Sequence, residues 1–134
     1  MSVRFGIDQL LIQVPSWKQQ RIGLLTNDAA KTWNGIPSRK ALIDNDYHLV
    51  HLFSPEHGID TNGKDGAFMK DQIDPITSLP ITSLYGKKFA PAAEDLEGID
   101  VLLFDVPDAG TRFYTYLWSM SYLVEAAGKY NKKI

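Results

Sequence analysis

The stretch Asp100-Val-Leu-Leu-Phe-Asp-Val106 decides the fold class, because it is the clearest buried strand in the sequence. Two similar apolar runs precede it, Arg21-Ile-Gly-Leu-Leu-Thr-Asn27 and Tyr47-His-Leu-Val-His-Leu-Phe53, and residues 81–84 form a shorter one. Each run has the length of a strand and is bounded by polar residues, proline or glycine. Helical segments alternate with these runs, so we expect an α/β fold with a mostly parallel sheet flanked by helices.

Three helices are predicted among these strands. A brief helix is expected before Pro15, and a second begins at Ser38, as its cap, and runs to about Asp44. The third follows the strand quoted above, with Thr111 as its N-cap and Gly128 as the residue just past its end. Its apolar stripe has helical spacing and comprises Phe113, Tyr116, Leu117, Met120, Leu123, Val124 and Ala127.

Two segments outside these elements also have characteristic patterns. Residues 58–75 contain three glycines, four aspartates and a proline, which is typical of a long loop. Within it, Gly58 to Asp65 is one residue short of a phosphate-binding loop, since Asp65 stands where magnesium needs Ser or Thr. No helix pattern follows, so no nucleotide cofactor is expected. Residues 132–134 have the pattern of the start of a further strand.

Composition sets limits on the function. The chain has 134 residues, of which 44% are hydrophobic, so we expect one domain over residues 1–134. Its net charge of −2 offers no basic surface to nucleic acid or to an anionic membrane. With no cysteine, disulfides, thiolate metal sites and a cysteine nucleophile are excluded. His48 and His51 face opposite sides of a predicted strand and cannot share an ion, so no metal is predicted.

The N-terminal sequence predicts a location for the chain as written. Met-Ser-Val-Arg-Phe-Gly-Ile-Asp8 lacks the continuous apolar segment of a signal peptide. No stretch approaches the 18 or so apolar residues that a membrane span needs. We therefore expect a cytoplasmic chain, or an exported one if a leader has been removed.

Polar residues collect where three predicted strands end. Asn27 ends the first, Ser54-Pro-Glu-His-Gly58 ends the second, and Asp105-Val-Pro-Asp108 ends the strand quoted above. Because the carboxyl ends of parallel strands meet at one edge of a sheet, we expect these clusters to form one ligand-binding rim. The alternative is that polar residues simply follow the strands into solvent.

Four of these residues are candidates for acid–base or hydrogen-bonding roles. Glu56, in a partly apolar loop, suits a general acid, whereas the alternative is a solvated loop glutamate. Asp105 and Asp108 are candidates for a second carboxylate. Alternatively, Asp105 binds backbone amides of its turn and Asp108 caps the helix that follows. His57 is a candidate hydrogen-bonding partner for a ligand.

Three further candidates lie just beyond the last of these clusters. Arg112 could hold a carboxylate or phosphate through two parallel hydrogen bonds, although an arginine there is more often a surface ion-pair partner. Tyr114 lies off the apolar stripe, which leaves its hydroxyl free to reach the rim. Tyr116 lies on the stripe, where a core position is the simpler interpretation.

Together these motifs resemble those of the DUF1343 (NamZ) family. The resemblance is carried, in order, by Gly6-Ile-Asp8, Arg21-Ile-Gly-Leu-Leu-Thr-Asn27, Leu52-Phe-Ser-Pro-Glu-His-Gly58, Leu79-Pro-Ile-Thr-Ser-Leu-Tyr-Gly86 and Phe104-Asp-Val-Pro-Asp-Ala-Gly-Thr-Arg-Phe-Tyr-Thr-Tyr116. They span essentially the whole chain, and their combination is far more specific than any single motif.

The resemblance implies a Rossmann-like N-terminal catalytic domain. It also implies an exo-β-N-acetylmuramidase, a glycoside hydrolase that releases terminal N-acetylmuramic acid from the non-reducing end of peptidoglycan fragments, without a cofactor. The family's acidic residue falls on Glu56, which is thereby the leading catalytic acid. Tyr114 becomes a candidate catalytic partner, with Tyr116 second, and Arg112 a candidate ligand of the lactyl carboxylate of the muramyl sugar.

The chain departs from the family pattern at three rim positions and in length. Asp60-Thr61, Pro107 and Asp28-Ala-Ala30 replace residues that are common in the family, which bears on substrate preference. Family members are several times longer and have a second, C-terminal domain. We therefore expect residues 1–134 to be an incomplete N-terminal part with little activity alone. The rival hypotheses are a sugar-binding domain without catalysis and an inactive fragment of the enzyme.

Overall fold

Strands and helices alternate along the chain, and the computed structural model describes residues 3–64 and 70–134. The helices are α1 (Gly6–Gln13), α2 (Ser38–Asp44) and α3 (Tyr116–Lys129). The strands are β1 (Ile22–Thr26), β2 (Leu49–Ser54), β3 (Gln72–Ile73), β4 (Pro80–Ser83) and β5 (Val101–Asp105), and a short 3-10 turn (Glu94–Leu96) precedes β5. The predicted α/β alternation is confirmed.

The five strands form one sheet in the order β3-β4-β2-β1-β5. All neighbouring pairs are parallel except β3 with β4, which is antiparallel. The prediction of an uninterrupted loop over residues 58–75 was wrong, since β3 lies within it. Both residues of this edge strand are exposed, so it carries no alternating apolar pattern that would have indicated it. Asp65 lies outside the described residues.

Helices cover both faces of the sheet. Successive strand residues point to opposite faces, so in β1 Leu24 packs with α1 and α2 whereas Leu25 packs with α3. In β5, Val101 faces the first group and Leu102 the second. Both layers therefore bury their apolar side chains against the same central strands, which explains why β1 is buried at every position.

The strand order creates a crevice between β1 and β5. From β1 the chain crosses through α2 to β2 on one side of the sheet, and it returns to β5 on the other side of β1. The loops that follow β1 and β5 therefore diverge to opposite faces. In doubly wound sheets, ligands bind outside the carboxyl ends of the strands at this switch point.

Helix α3 begins later than predicted. Its first residue is Tyr116, and Thr115 occupies the cap position that Thr111 was expected to hold. Asp108 instead accepts a hydrogen bond from the Gly110 amide at 2.6 Å, which closes a turn in the connection before the helix.

The predicted ends and faces of the helices need three corrections. Gly128 lies inside α3, which ends at Lys129. On the stripe, Leu123 and Ala127 are buried, but Phe113, Leu117 and Val124 are exposed; Phe113 precedes the helix altogether. Ser38 is the first residue of α2 rather than its cap, and its hydroxyl donates to the Asp105 carboxylate.

The end of the chain approaches β5. Lys133 forms an isolated parallel bridge with Val101, and the Leu102 amide donates to the Lys133 carbonyl at 2.8 Å. The strand expected over residues 132–134 is thus present as a single bridge.

Within residues 3–64 and 70–134, no helix has the length and apolar character needed to cross a membrane.

A buried arginine joins three parts of the fold. Arg39 of α2 is only 2% exposed, and its guanidinium lies 2.7 Å from Asp28, after β1, and 3.0 Å from Asp74, before β4. Burial raises the pKa of Asp74, but hydrogen bonds from Thr77 and Arg39 outweigh it and lower that pKa overall. The network fixes the loop after β1 to the helix behind it.

We predict that Arg39→Met destabilises the protein by about 3–5 kcal/mol, because the fully buried Asp74 carboxylate loses its charged partner. Urea denaturation measures the free energy of unfolding. Lys40→Met is the matched control, since Lys40 is exposed and forms an ion pair with Asp44, one turn further along the helix. Its effect should be a few tenths of a kcal/mol, on the order of an exposed helix pair. Equal effects of the two substitutions would contradict the prediction.

Candidate active site

The three polar strand ends meet at one edge of the sheet, as the sequence predicted. Thr26 at the end of β1 is in register with Asp105 at the end of β5, and Leu25 is in register with Phe53 near the end of β2. The residues that follow these strands are therefore neighbours in space although they are far apart in sequence.

A cavity of about 460 Å³ opens at this edge, beside the crevice between β1 and β5. It is lined by Asn27, Ala29, His57, Thr61, Pro107, Asp108, Ala109, Tyr114 and Tyr116. Five of these are residues that the sequence proposed for the site, namely Asn27, His57, Asp108, Tyr114 and Tyr116. The volume is within the range of small-molecule sites.

Two tyrosines and a buried asparagine form one wall of the cavity. The Asn27 side chain accepts from the Ala29 amide at 3.1 Å and donates to the Tyr116 hydroxyl at 3.2 Å. The Tyr114 and Tyr116 rings meet edge to face with centroids 4.7 Å apart. The pKa of Tyr116 is raised to about 12, mainly by burial and to a smaller extent by the nearby Tyr114 and Glu56. Its hydroxyl therefore stays protonated. Tyr116 thus belongs both to the core and to the cavity wall.

Glu56 is half-buried, and its carboxylate is bound to the start of α3. It accepts a hydrogen bond from the Thr115 hydroxyl at 2.7 Å. Thr115 stands between the two tyrosines of the wall, and Glu56 directly precedes His57, another lining residue. Glu56 is not itself among the lining residues; it is tied to the cavity wall through Thr115 and through its neighbour His57. Sequence reasoning missed Thr115 because it placed this residue inside the helix, not at its cap.

His57 is held by the turn that follows β2. Both His57 and Gly58 have left-handed backbone conformations, with φ of 69° and 76°. The turn brings the His57 ring nitrogen Nδ1 to 2.8 Å from the Gly63 carbonyl oxygen. This geometry fixes the His57 ring in the lining of the cavity.

Asp105, the last residue of β5, and Asp108, three residues further on, occupy different places. Asp108 lines the cavity, and its alternative role as a helix cap is excluded by the later start of α3. Asp105 borders neighbouring cavities instead and accepts from Ser38, not from the backbone amides expected for its turn. Burial raises the pKa of Asp105, and the negative charge of the nearby Asp8 adds to this increase. The hydrogen bond from Ser38 lowers the same pKa but does not cancel the increase.

Arg112, His48 and His51 are not among the residues that line the cavity. Arg112 is exposed, does not line the cavity, and makes no ion pair with the described residues. His51 is bonded to Thr82 at 2.9 Å, and its neighbour His48 lies near the Gln19 carbonyl. Across the described ranges, no group of three histidine, aspartate or glutamate side chains is placed to hold a metal ion.

Comparison with known proteins identifies relatives of this arrangement. Residues 22–134 match the family described as exo-beta-N-acetylmuramidase NamZ, N-terminal. The peptidoglycan beta-N-acetylmuramidase NamZ of Bacillus subtilis is 44% identical over 130 residues, which cover 93% of this chain and 31% of that protein.

Two solved structures of DUF1343 family proteins from Bacteroides fragilis have the same fold. One is 36% identical with a TM-score of 0.84, over 96% of this chain and 32% of that one. The other is 33% identical with a TM-score of 0.80, over 100% of this chain and 34% of that one. The chain thus spans about a third of the length of the relatives it matches.

We predict that Asp105→Asn flattens part of the pH dependence of stability. A carboxyl whose pKa is raised by folding contributes its full stability below the unfolded value of about 4, and this contribution is lost as pH rises through the folded value. The free energy of unfolding should therefore decline less above about pH 4 in the variant than in the unchanged protein.

Denaturant titrations at a series of pH values measure this difference. Asp108→Asn is the matched control, because it changes an exposed aspartate three residues away and leaves Asp105 in place. Its stability should follow the pH dependence of the unchanged protein. Parallel pH curves for Asp105→Asn and the unchanged protein would show the prediction to be wrong.

Proposed function

Because the chain belongs to the family of NamZ N-terminal domains, we propose that it acts in an exo-β-N-acetylmuramidase. The reaction is hydrolysis of the β-glycosidic bond of a terminal N-acetylmuramic acid at the non-reducing end of a peptidoglycan fragment. The observation that carries the proposal is the Glu56 carboxylate, bonded to Thr115 beside a cavity at the switch point. No cofactor enters the proposed reaction.

Glu56 is assigned the role of general acid. Glycosidases usually place one carboxylic acid beside the leaving-group oxygen and a second group beside the anomeric carbon or its attacking water. As the bond between anomeric carbon and oxygen breaks, Glu56 gives its proton to the departing oxygen. The Thr115 hydroxyl, which donates to Glu56, fixes the orientation of the carboxyl group.

The second role has two candidates in the cavity wall. Tyr114 presents a phenol, and Asp108 a carboxylate; both line the cavity that the sugar would occupy. Some glycosidases use tyrosine in this role. Tyr116 holds the wall in place through Asn27, since its raised pKa keeps it a neutral hydroxyl. Asp105, outside this lining, is the weaker candidate for the second carboxylate.

A sugar-binding domain without catalysis is the second candidate function. It is favoured by one observation: the cavity is lined by hydrogen-bonding and aromatic side chains such as Asn27, His57 and Tyr114, whereas Glu56 is not among its lining residues. A Rossmann-like sheet supports binding as well as catalysis, so the fold does not distinguish the two. Saturable binding of N-acetylmuramic acid without any hydrolysis of muramyl glycosides would identify this function.

We predict that Glu56→Gln lowers hydrolysis of N-acetylmuramyl-β-1,4-N-acetylglucosamine by about 100-fold or more, the usual contribution of a general acid. A nitrophenyl muramide should be affected less, because its leaving group needs little protonation. Release of N-acetylmuramic acid is measured with the 134-residue chain and with this chain joined to the C-terminal part of the B. subtilis relative.

Glu125→Gln is the matched control, since Glu125 is exposed on α3, outside the cavity lining. It should leave both rates unchanged. Near-normal disaccharide hydrolysis by Glu56→Gln would reject Glu56 as the acid. Equal losses on the two substrates would assign Glu56 a role other than proton donation.

A further inference from the structure

A second cavity shares a wall with the candidate active site. Its volume is about 590 Å³, and Ala29 and Pro107 line both cavities. A ligand that fills the first cavity therefore abuts the second across the loops that follow β1 and β5. Each cavity by itself is in the size range of small-molecule sites, so together they offer room for two linked rings.

Two exposed aromatic rings stand on the lining of this second cavity. Trp33 is 71% exposed and Phe5 is 50% exposed, although both are large apolar side chains. Exposed apolar surface gathered at a concave site is typical of ligand binding. Neither ring is needed to fill the two hydrophobic cores, which are formed by other residues.

One buried carboxylate fixes the backbone of both aromatic residues. Asp8 is 8% exposed, and it accepts hydrogen bonds from the Phe5 amide at 2.9 Å and from the Trp33 amide at 3.2 Å. The two residues are 28 positions apart in sequence, so this pairing exists only in the folded chain. The aromatic rings are thus exposed while their backbones are held.

The loop that carries Trp33 is closed by its own hydrogen bonds. The Thr32 amide donates to the Ile36 carbonyl at 2.9 Å, and the Gly35 amide donates to the Thr32 carbonyl at 2.9 Å. Gly35 has a left-handed φ of 86°, which this tight turn requires. A ring presented on a fixed loop loses little conformational entropy when a ligand packs on it, which favours binding.

The chemistry of the second cavity fits a sugar ring. A pyranose has an apolar face of C–H groups, which packs on an aromatic ring, and a rim of hydroxyls and amides that seek polar partners. Trp33 and Phe5 provide the apolar surface, and the charged residues Asp105 and Lys31 belong to the same lining. An uncharged N-acetylhexosamine could meet both kinds of group.

We infer that this second cavity binds the sugar on the leaving-group side of the scissile bond, with Trp33 as its stacking platform. The inference rests on the proposed function, since the terminal muramyl ring would occupy the first cavity. The shared wall at Ala29 and Pro107 then lies beneath the bond that is cleaved. The next ring of the fragment continues onto Trp33.

Calorimetric titrations of the 134-residue chain test this assignment, with Glu56→Gln present throughout so that the disaccharide is not hydrolysed. The ligands are N-acetylmuramic acid and N-acetylmuramyl-β-1,4-N-acetylglucosamine. Trp33→Ala should weaken disaccharide binding by about tenfold and leave monosaccharide binding within about twofold, because only the second ring loses its platform. Trp33→Phe should retain most of the disaccharide affinity.

Trp118→Ala is the matched control, because Trp118 is 58% exposed on α3 and lines neither cavity. It should leave both affinities unchanged. An unchanged disaccharide affinity in Trp33→Ala, or equal losses for both ligands, would overturn the second-ring site and leave the proposed function intact. Failure of the chain with intact Trp33 to bind either ligand would reject the proposed function and this inference together.

Discussion

The parallel pairing of β1 with β5 is the constraint on which the site depends. Their register sets Thr26 beside Asp105, so the loops after the two strands leave the sheet at the same level and diverge to opposite faces. Both cavities open between these loops, and Ala29 and Pro107 face each of them. A shift in this register would separate Asn27 from Tyr116 and remove the wall that they form.

Buried polar contacts behind the loops hold this arrangement. Arg39 binds Asp28 directly after Asn27, and the Asp28 amide donates to the Ile59 carbonyl at 2.7 Å, so the loops after β1 and β2 are joined. Asp8 joins two further segments, because its carboxylate accepts from the backbone amides of both Phe5 and Trp33. Because a buried arginine or carboxylate is costly without partners, the contacts of Arg39 and Asp8 strongly favour one loop conformation.

The fold was largely predictable because the central strands are continuous apolar runs of strand length bounded by turn residues. The strand ends followed from them, so the neighbourhood of Asn27, Glu56 and Asp108 could be expected before any coordinates. The start of α3 could not, since Phe113 has the spacing of the helical stripe yet lies in the connection before it. In that connection the Gly110 amide donates to Asp108 and the Thr115 hydroxyl donates to Glu56, and α3 begins only after these two hydrogen bonds.

The sequence by itself determined the alternation of elements, the parallel sheet, and the rim where polar residues collect, because these depend on local patterns of apolar residues and turns. Only the tertiary structure decided that Tyr116 serves both core and cavity, and that Asp105 faces a different cavity from Asp108. The hydrogen bond from the Trp33 amide to Asp8 was likewise visible only in the tertiary structure. Such pairings depend on which loops the packed sheet brings together. Local patterns of residues along the chain do not predict which distant residues become neighbours in space.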